Sequence, residues 1–502
     1  MGIYGPAFIR PPPSADRPMT DLLHHATVPV AEAIQALAFI GDLSMGQPTD
    51  HSQRTAWLAC RLARAAGREA GYIDELHHVA MLRWSGCTAN ASEASALFGD
   101  DVAGREALQA ARATGGFPAM PPQQLPADVL QVLRVHCDVS GAIAAMLGLG
   151  PAVETALRHI FDRHDGAGGE VAVPGKAASG EVPDMVFDVA VASDLEIFGR
   201  LRGTAHALRV LQDQAGRRYP ARLAALALHH AQTWMKELSG MADTASAPGG
   251  KGRIALELVA DVIDLKLPWM TGLSRRVARD ASAAAVALGL DSLAQARLHR
   301  AGLLHGIGRA AVPNRLWEQT GVHSPGDIER LRLVPYWTSR AGRQIVSLAA
   351  EAELASQAFE RLDGSGHFRG LSASGLGTEA RILAVALRWQ LLITSAAGQA
   401  ETRTAEAAAI LQDEAAAGAL DGAVVQALLG LAKAPRGPAV ATGRELLSGR
   451  QREVLRHISQ GLSNKETARQ LGLSPSTVAT HIETIFRKLG CSTRAAPVQQ
   501  PR

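Results

Sequence analysis

The clearest pattern of apolar and polar positions lies in the last 59 residues, where the spacing predicts three short helices. The first spans about 449–460, and the second follows a capping box formed by Ser463 and Glu466. Ser474 followed by Pro475 is typical of the start of a third helix. The apolar positions predicted to be buried are Val454, Leu455, Ile458, Ala468, Leu471, Val478, Ile482, Ile485 and Leu489.

The third helix carries a polar and basic face to one side of this buried stripe, formed by Thr477, His481, Thr484 and Lys488. A short face of this kind, on the second helix of a helix-turn-helix, suits a DNA major groove, and basic residues nearby would contact phosphates. The alternative is a helical hairpin with a solvated polar face. The predicted DNA-binding residues are Lys465, Arg469, Ser474, Ser476, Thr477, Thr480, His481, Thr484, Arg487 and Lys488.

Helices are also predicted for the rest of the chain, which contains Ala-rich stretches such as ASAAAVALGL (281–290). No apolar run approaches the roughly 18 residues that cross a bilayer, and prolines interrupt the N-terminus where a signal peptide would be apolar. We therefore expect a cytoplasmic protein with no membrane partner. The cysteines lack zinc-ligand or redox spacing and are expected to be buried: Cys60, Cys87, Cys137 and Cys491.

The charge is distributed unevenly along the chain. The net charge is +3, but residues 444–502 contain ten Lys or Arg and four Glu, which gives this tail +6 and the rest −3. Basic charge concentrated in one small domain favours double-stranded DNA as its partner. The preceding segment, KAPRGPAVATG (433–443), has the composition of a linker.

An internal repeat occupies the chain before this linker. His51-Ser52 lies 222 residues before Leu273-Ser274, whereas His136 lies 198 residues before Val334, so the first copy has about 24 additional residues in between. The predicted divisions are a tail at 1–20, a first half at 21–238, a linker at 239–251, a second half at 252–432, a linker at 433–443 and a DNA-binding domain at 444–497.

The motifs LLHGIGRAAVPNRLWEQ, FERLDGSGHFRGL and EARILAVALRWQLLITS, in this order, resemble the HD-GYP branch of the HD phosphohydrolases, a helical fold. The match covers about 260–430 well and 21–238 more weakly. The resemblance implies a centre of two or three iron ions. The positions of its ligands are here Leu273, His305, Gly306, Val334, Ala358, Phe359 and Leu387. Only His305 can bind a metal, and one imidazole cannot hold a binuclear site, so we expect no catalytic residue and no metal cofactor.

In the first half, His51 and His136 match ligand positions, and Asp194 lies near one. Arg83-Trp84 replaces the His-Asp pair that the resemblance implies, and Ile160-Phe161 replaces the implied His-His pair. An arginine in place of a ligand repels a cation. Two interpretations stay open: a mononuclear metal site, or histidines that are hydrogen-bonded inside a helical core.

The loop at 359–371 is predicted to be the shell of a former site, in which Glu360 and Asp363 shape the backbone. A pocket without metal, lined by Arg309, Arg361 and Arg369, would suit a phosphate-bearing effector; the alternative is that these are surface arginines. The residues assigned to a vestigial pocket are His51, His136, Asp194, His305, Glu360 and Asp363.

The segment SNKETARQLGLSPSTVATHIETIFRKLG (463–490) resembles the LuxR-type helix-turn-helix. That family usually ends with a fourth helix that pairs two DNA-binding domains, but Pro497 would truncate it here. We therefore expect the helical halves to form a homodimer.

These features together predict an all-α protein with two HD-domain-like helical bundles in tandem, followed by a small LuxR-type helix-turn-helix domain. The predicted function is that of a bacterial-type transcriptional regulator whose metal-free HD-like halves serve sensing or oligomerisation. Two alternatives remain. One is a metal-dependent phosphohydrolase of a cyclic dinucleotide or nucleotide fused to a DNA-binding domain, and the other is a scaffold that binds a partner protein.

Overall fold

The computed structural model describes residues 26–113, 127–166, 182–240, 252–319, 321–394, 400–433, 450, 453–454, 464–474 and 477–478. Helices dominate, as the Ala-rich stretches predict. In the first half they are α1 (Val30–Ser44), α2 (His51–Ala65), α3 (Ala70–Leu82), α4 (Ala91–Phe98), α5 (Asp101–Ala113), α6 (Ala127–Met146), α7 (Pro151–Arg158), α8 (Asp184–Arg202), α9 (Thr204–Gln214) and α10 (Ala221–Ser239).

The second half contains a second series of helices, and one more lies in the tail. They are α11 (Glu257–Asp264), α12 (Leu273–Ala287), α13 (Ser292–Leu304), α14 (Asn314–Glu318), α15 (Pro325–Arg332), α16 (Val334–Gly342), α17 (Ala349–Ala355), α18 (Thr378–Thr394), α19 (Ala400–Ala416), α20 (Gly422–Lys433) and α21 (Asn464–Leu471). Short polar residues cap two of them, since Asp291 accepts from an amide of α13 and Ser324 from an amide of α15.

The two halves repeat the same order of helices. Helices α2 and α12 begin and end 222 residues apart, as do α3 and α13, and α7 begins 198 residues before α17. Where the first copy is longer, it forms α4 and α5, of 8 and 13 residues, in place of α14 and α15, of 5 and 8. The prediction of an all-α fold with two helical bundles in tandem is confirmed, whereas the domain boundaries stay predictions.

Two glycines show the repeat in space. A Cβ at Gly86 would lie 2.3 Å from the carbonyl oxygen of His136, and a Cβ at Gly308 would lie 1.9 Å from that of Val334. Because only glycine fits against a backbone this close, each half fixes the same turn against the same helix. The structure thus places His136 and Val334 at equivalent positions, as the offset of 198 predicts.

The halves pack against each other. Strand β1 (Thr27–Pro29) pairs antiparallel with β2 (Arg253–Ala255), and one hydrophobic core includes residues of both halves. A buried ion pair joins Asp101 of α5 to Lys266 at 2.6 Å. The backbone amide of Asn314 also donates to Asp101 at 2.7 Å, and its side-chain amide donates to the Lys266 carbonyl at 2.8 Å. The repeat alone does not predict this contact.

Three cysteines, Cys60, Cys87 and Cys137, are buried free thiols, as predicted, and Cys491 lies outside the described residues. Among the helices that the structure describes, none is long and apolar enough to cross a membrane.

Candidate functional site

In the first half, Arg83 directs a buried guanidinium at a histidine that the sequence analysis assigned to the site. Its Nη2 donates to Nε2 of His51 at 2.6 Å and to Oγ1 of Thr55 at 3.1 Å, and its Nη1 donates to the carbonyl oxygen of Ala80 at 2.7 Å. The guanidinium also lies over the ring of Trp84. Burial lowers the pKa of Arg83 to about 10, so the group is charged at neutral pH.

His51 links this cation to a buried carboxylate. Its Nδ1 donates to Glu196 at 2.6 Å, and Arg54 and Arg200 donate to the other oxygen of Glu196 at 3.1 and 3.0 Å. Burial lowers the pKa of His51 to about 4, and Arg83 acts in the same direction. The imidazole is therefore neutral at pH 7, and the Nε2 lone pair that a metal would need accepts a hydrogen bond from Arg83.

His136 and Asp194 do not converge with His51. Nε2 of His136 donates to the carbonyl oxygen of Arg83 at 2.7 Å, and Asp194 forms an ion pair with Arg218 at 3.2 Å. Within the described ranges, no group of three His, Cys, Asp or Glu side chains is arranged to hold a metal ion. In the structure, His51 and His136 are hydrogen-bonded inside the helical core.

The carboxylate that faces His51 is Glu196, which the sequence analysis missed. Glu196 lies two residues beyond Asp194 on α8, roughly 200° around the helix and so on a different face. The second half contains the counterpart of its contact with Arg54, because Arg276 donates to Gln390 at 3.0 Å. An alignment of α8 with α18 at an offset of 194 would have identified the pair.

In the second half, the buried guanidinium beside the histidine comes from Arg309, which does not stand at the repeat position of Arg83. Its Nη1 donates to Asp264 at 3.0 Å, and its Nη2 donates to Nε2 of His305 at 2.8 Å. Nδ1 of His305 donates to the carbonyl oxygen of Gly302 at 2.6 Å, so both ring nitrogens are engaged. Burial, reinforced by the charge of Arg309, lowers the pKa of His305 to about 3.

Gly306 provides the space for this guanidinium. It stands where the resemblance implies the Asp of the His-Asp pair, and a Cβ there would lie 2.3 Å from Nη2 of Arg309. A ligand side chain at position 306 and the guanidinium of Arg309 in its observed place therefore exclude each other sterically.

A buried aspartate orders each of these two arrangements. Asp42 accepts from the amide and hydroxyl of Ser52 at 2.9 and 2.6 Å, and Asp264 accepts from those of Ser274 at 2.7 and 2.8 Å. Burial raises the pKa of both aspartates, against the opposing charge of the neighbouring guanidinium. Because Asp42 accepts from Ser52, and Asp264 accepts from both Ser274 and Arg309, these residues do not fit the iron centre that the resemblance implies.

The loop at 359–371 is held by its own carboxylates, as predicted. Glu360 is buried and accepts from the backbone amides of Arg369 at 2.8 Å and Leu371 at 2.9 Å. Asp363 accepts from the amide two residues on at 2.9 Å, and Gly364 has the positive φ of 78° that such a turn needs. These acidic side chains shape the loop.

A cavity of about 370 Å³ lies between this loop and α18. Of the three arginines predicted to line an emptied pocket, only Arg361 does so. Arg309 is buried against Asp264 and His305, and Arg369 bonds to Ser356 and pairs with Glu353. The second guanidinium at the cavity belongs to Arg388, which the sequence analysis missed. The side chains that characterise the cavity are Phe359, Arg361, His367, Leu387, Arg388 and Leu391.

The described part of the tail agrees with the predicted helical pattern. Val454, Ala468 and Val478 are buried, whereas Leu471, which was also predicted to be buried, is half-buried at the end of α21. Ser474 accepts from the amide of Thr477 at 3.0 Å, as an N-cap does. Arg469 and Thr477 are exposed. The remaining predicted DNA-binding side chains, and the Ser463 cap, lie outside the described part: Lys465, Ser476, Thr480, His481, Thr484, Arg487 and Lys488.

Comparison with known families and proteins identifies two domains. The HD domain family matches residues 257–424, and the family of bacterial regulatory proteins called luxR matches residues 445–499. The chain therefore joins an HD domain to a C-terminal LuxR-type helix-turn-helix domain, and both predicted resemblances are confirmed.

Individual relatives divide in the same way. The 3'3'-cGAMP-specific phosphodiesterase 3 of Vibrio cholerae is 20% identical over 397 residues, which cover 72% of this chain and 85% of that protein. A Mycobacterium bovis protein named as an HTH-type transcriptional regulator is 40% identical over 96 residues, 19% of this chain and 10% of its own length. A crystal structure of a cyclic GMP-AMP specific phosphodiesterase of V. cholerae superposes with a TM-score of 0.54 at 18% identity, covering 82% of this chain and 99% of that one. This likeness supports an HD-type helical fold.

Proposed function

We propose that this chain, which joins an HD domain to a LuxR-type domain, is a DNA-binding transcriptional regulator whose HD-like halves work without catalytic metal. The observation that carries the proposal is the buried guanidinium of Arg309, bonded to His305 and Asp264, with Arg83 on His51 as its counterpart. In each half, a guanidinium of the chain itself already donates to the histidine that stands at or beside a ligand position.

A guanidinium satisfies these acceptors but cannot replace a metal in hydrolysis. It has five N–H donors, a single charge and no site for an exchangeable ligand. It therefore cannot bind water and lower the pKa of that water as a divalent cation does. The helical halves keep a buried polar centre of fixed geometry, which suits a module that senses a ligand or pairs with a second copy.

The output of such a regulator is the tail. Its LuxR-type domain presents Arg469 and Thr477 to solvent in the described part. A domain of about 55 residues contacts few phosphates, so tight binding calls for two chains whose third helices lie about one DNA turn apart, roughly 34 Å. We propose that the helical halves supply this homodimer contact.

The alternative, a phosphodiesterase fused to a DNA-binding domain, is favoured by the similarity to the cGAMP-specific phosphodiesterase. It conflicts with the residues at the ligand positions, of which Leu273, Val334 and Leu387 are buried apolar side chains. A side chain without a donor atom contributes nothing to a metal centre.

One experiment on the full-length chain separates the two functions. We expect selection from random DNA to enrich one sequence, elemental analysis to find no stoichiometric iron, manganese or zinc, and assays to find no hydrolysis of 3'3'-cGAMP or cyclic di-GMP. About two metal ions per chain, with turnover that His305→Ala abolishes and His229→Ala on the exposed side of α10 leaves intact, would establish the enzyme instead.

A further inference from the structure

The cavity beside α18 combines an apolar wall with two guanidiniums. Ala358, Phe359 and Leu387, three positions at which the resemblance implies metal ligands, line it together with Leu391. Arg361 and Arg388 also line it. The place where the resemblance implies metal ligands is therefore apolar and edged by two cationic side chains.

The two guanidiniums share one carboxylate. Arg361 donates through Nη1 to Glu414 at 3.0 Å, whereas Arg388 donates to it through both Nε, at 3.0 Å, and Nη2, at 2.5 Å. In the part of the chain that the structure describes, the other guanidinium nitrogens of Arg361 make no hydrogen bond. The ion pairs are partly open to solvent, with side-chain exposures of 32% for Arg388 and 23% for Glu414. An incoming anion can therefore reach both cations.

Glu360 and His367 are the other titratable side chains that line the cavity. Glu360, which also lines it, turns both carboxylate oxygens to backbone amides of the loop. Burial lowers the pKa of His367, and the charges of Arg332 and Arg361 lower it further, against a smaller opposing effect of Glu329. His367 is therefore neutral at pH 7 and offers a flat surface, stacked at 5.3 Å on Phe359.

We infer that this cavity binds a small organic anion, with a carboxylate or phosphate on Arg361 and Arg388 and an aromatic or aliphatic body against Phe359, Leu387 and Leu391. Its volume of about 370 Å³ lies near the lower end of the roughly 300–1,000 Å³ that is typical of small-molecule sites. That is enough for one ring with an acidic group. The inference rests on the proposed function for its role, because such a ligand would be the effector of the regulator.

The test uses the full chain at low ionic strength and four probes followed by saturation-transfer NMR. Phenyl phosphate and benzoate carry the anion and the ring, benzyl alcohol carries the ring alone, and inorganic phosphate carries the anion alone. We expect saturable binding of phenyl phosphate, benzoate or both, about tenfold tighter than that of benzyl alcohol and inorganic phosphate. The stronger of the two anions identifies the acidic group.

Substitutions with opposite expected effects on anion binding locate the site. Arg388→Gln should weaken anion binding about tenfold, whereas Glu414→Gln should strengthen it several-fold, because the competing carboxylate is gone. Leu387→Trp keeps the charges and fills the cavity, so it should abolish binding of every probe. The matched control is Arg297→Gln, which breaks an ion pair between α13 and Glu379 of α18 with similar exposures, 36% and 23%, and should change nothing.

Absence of saturable binding to the wild-type chain, equal losses in Arg388→Gln and Arg297→Gln, or weaker binding in Glu414→Gln would overturn the inference. The same samples are assayed for DNA binding. A chain that binds its DNA but no probe overturns the anion site and leaves the proposed function intact. A chain that binds the probes but no DNA keeps the site and removes the proposed function.

Discussion

At the scale of single residues, each helical half places a buried guanidinium against a histidine, but the two arginines come from different positions of the repeat. Arg83 stands opposite His305 in the repeat, and Arg309 stands opposite Cys87, yet each guanidinium ends on a histidine nitrogen. A buried arginine stays charged because its pKa starts far above neutrality. A built-in cation therefore stabilises the buried acceptors at any metal concentration.

The geometry predicts that Gly306→Ala destabilises the second half. The new Cβ would meet the guanidinium of Arg309, which would move and leave Asp264 buried without its partner. Breaking a buried pair in this way costs roughly 3–5 kcal/mol, and Ser274 reduces this cost by continuing to donate to Asp264. We expect the free energy of unfolding in urea to fall by about 2–4 kcal/mol.

A double-mutant cycle identifies the cause of this loss. In an Arg309→Met background, the added methyl group no longer meets a cation, so Gly306→Ala should cost at least 1 kcal/mol less, in the range measured for contacting residues, about 0.5–3 kcal/mol. Gly71→Ala on α3, where a Cβ meets nothing within 4 Å, is the matched control and should be neutral or slightly stabilising. Additive effects would contradict the contact.

At the scale of elements, we expect the tail to separate contacts that position DNA from contacts that read its sequence. Arg469 projects from the exposed side of α21, while Thr467 and Ala468 beside it are buried. Thr477 lies in the first turn of the third helix, where the Ser474 hydroxyl accepts from its amide. Arg469 suits a phosphate contact and Thr477 suits a contact with a base edge, because recognition helices contact bases through their N-terminal residues.

Arg469→Ala is therefore expected to weaken binding to all DNA sequences alike and to lower the slope of log K against log salt by about one. Thr477→Ala is expected to cost about 1–3 kcal/mol at one base pair and to relax selectivity there. Gel shifts with the selected site and single-base variants, at two salt concentrations, measure both effects. Arg332→Ala on α15 is the control, and a selectivity change in Arg469→Ala would reverse the two assignments.

Elements were more predictable from the sequence than their contacts. The offset of 222 matches the limits of α2 and α3 with those of α12 and α13, and the offset of 198 matches the start of α7 with that of α17, because periodicity and turn residues act locally. The hydrogen bond between Glu196 and His51 is not local, because it joins residues that lie 145 positions apart and meet only through the packing of α8 on α2. Arg388 was missed for the same reason, because its partner Glu414 belongs to another helix.

At the scale of the whole molecule, the two halves are joined by more than their linker. Hydrophobic periodicity describes one face of each helix and does not say which partner covers it, so the shared core could not be predicted from the repeat. The cross-half contacts include the buried pair of Asp101 and Lys266 and the partly exposed pair of Asp100 and Arg330. A ligand in the second half would therefore act on a structure that includes the first.

Lys266→Met tests whether this buried pair couples the halves. Burial lowers the pKa of Lys266 while Asp101 opposes the shift, and removal of the ammonium leaves a buried carboxylate that Arg105 approaches only to 3.7 Å. We expect a loss of roughly 3–5 kcal/mol and a single calorimetric unfolding transition of the halves that divides into two. Arg330→Met breaks the partly exposed cross-half pair of Arg330 and Asp100 and should cost about 1 kcal/mol without dividing the transition. Asp101→Asn in the Lys266→Met background removes the unpaired charge and should restore part of the loss. Equal behaviour of Lys266→Met and Arg330→Met would show that the apolar core alone couples the halves.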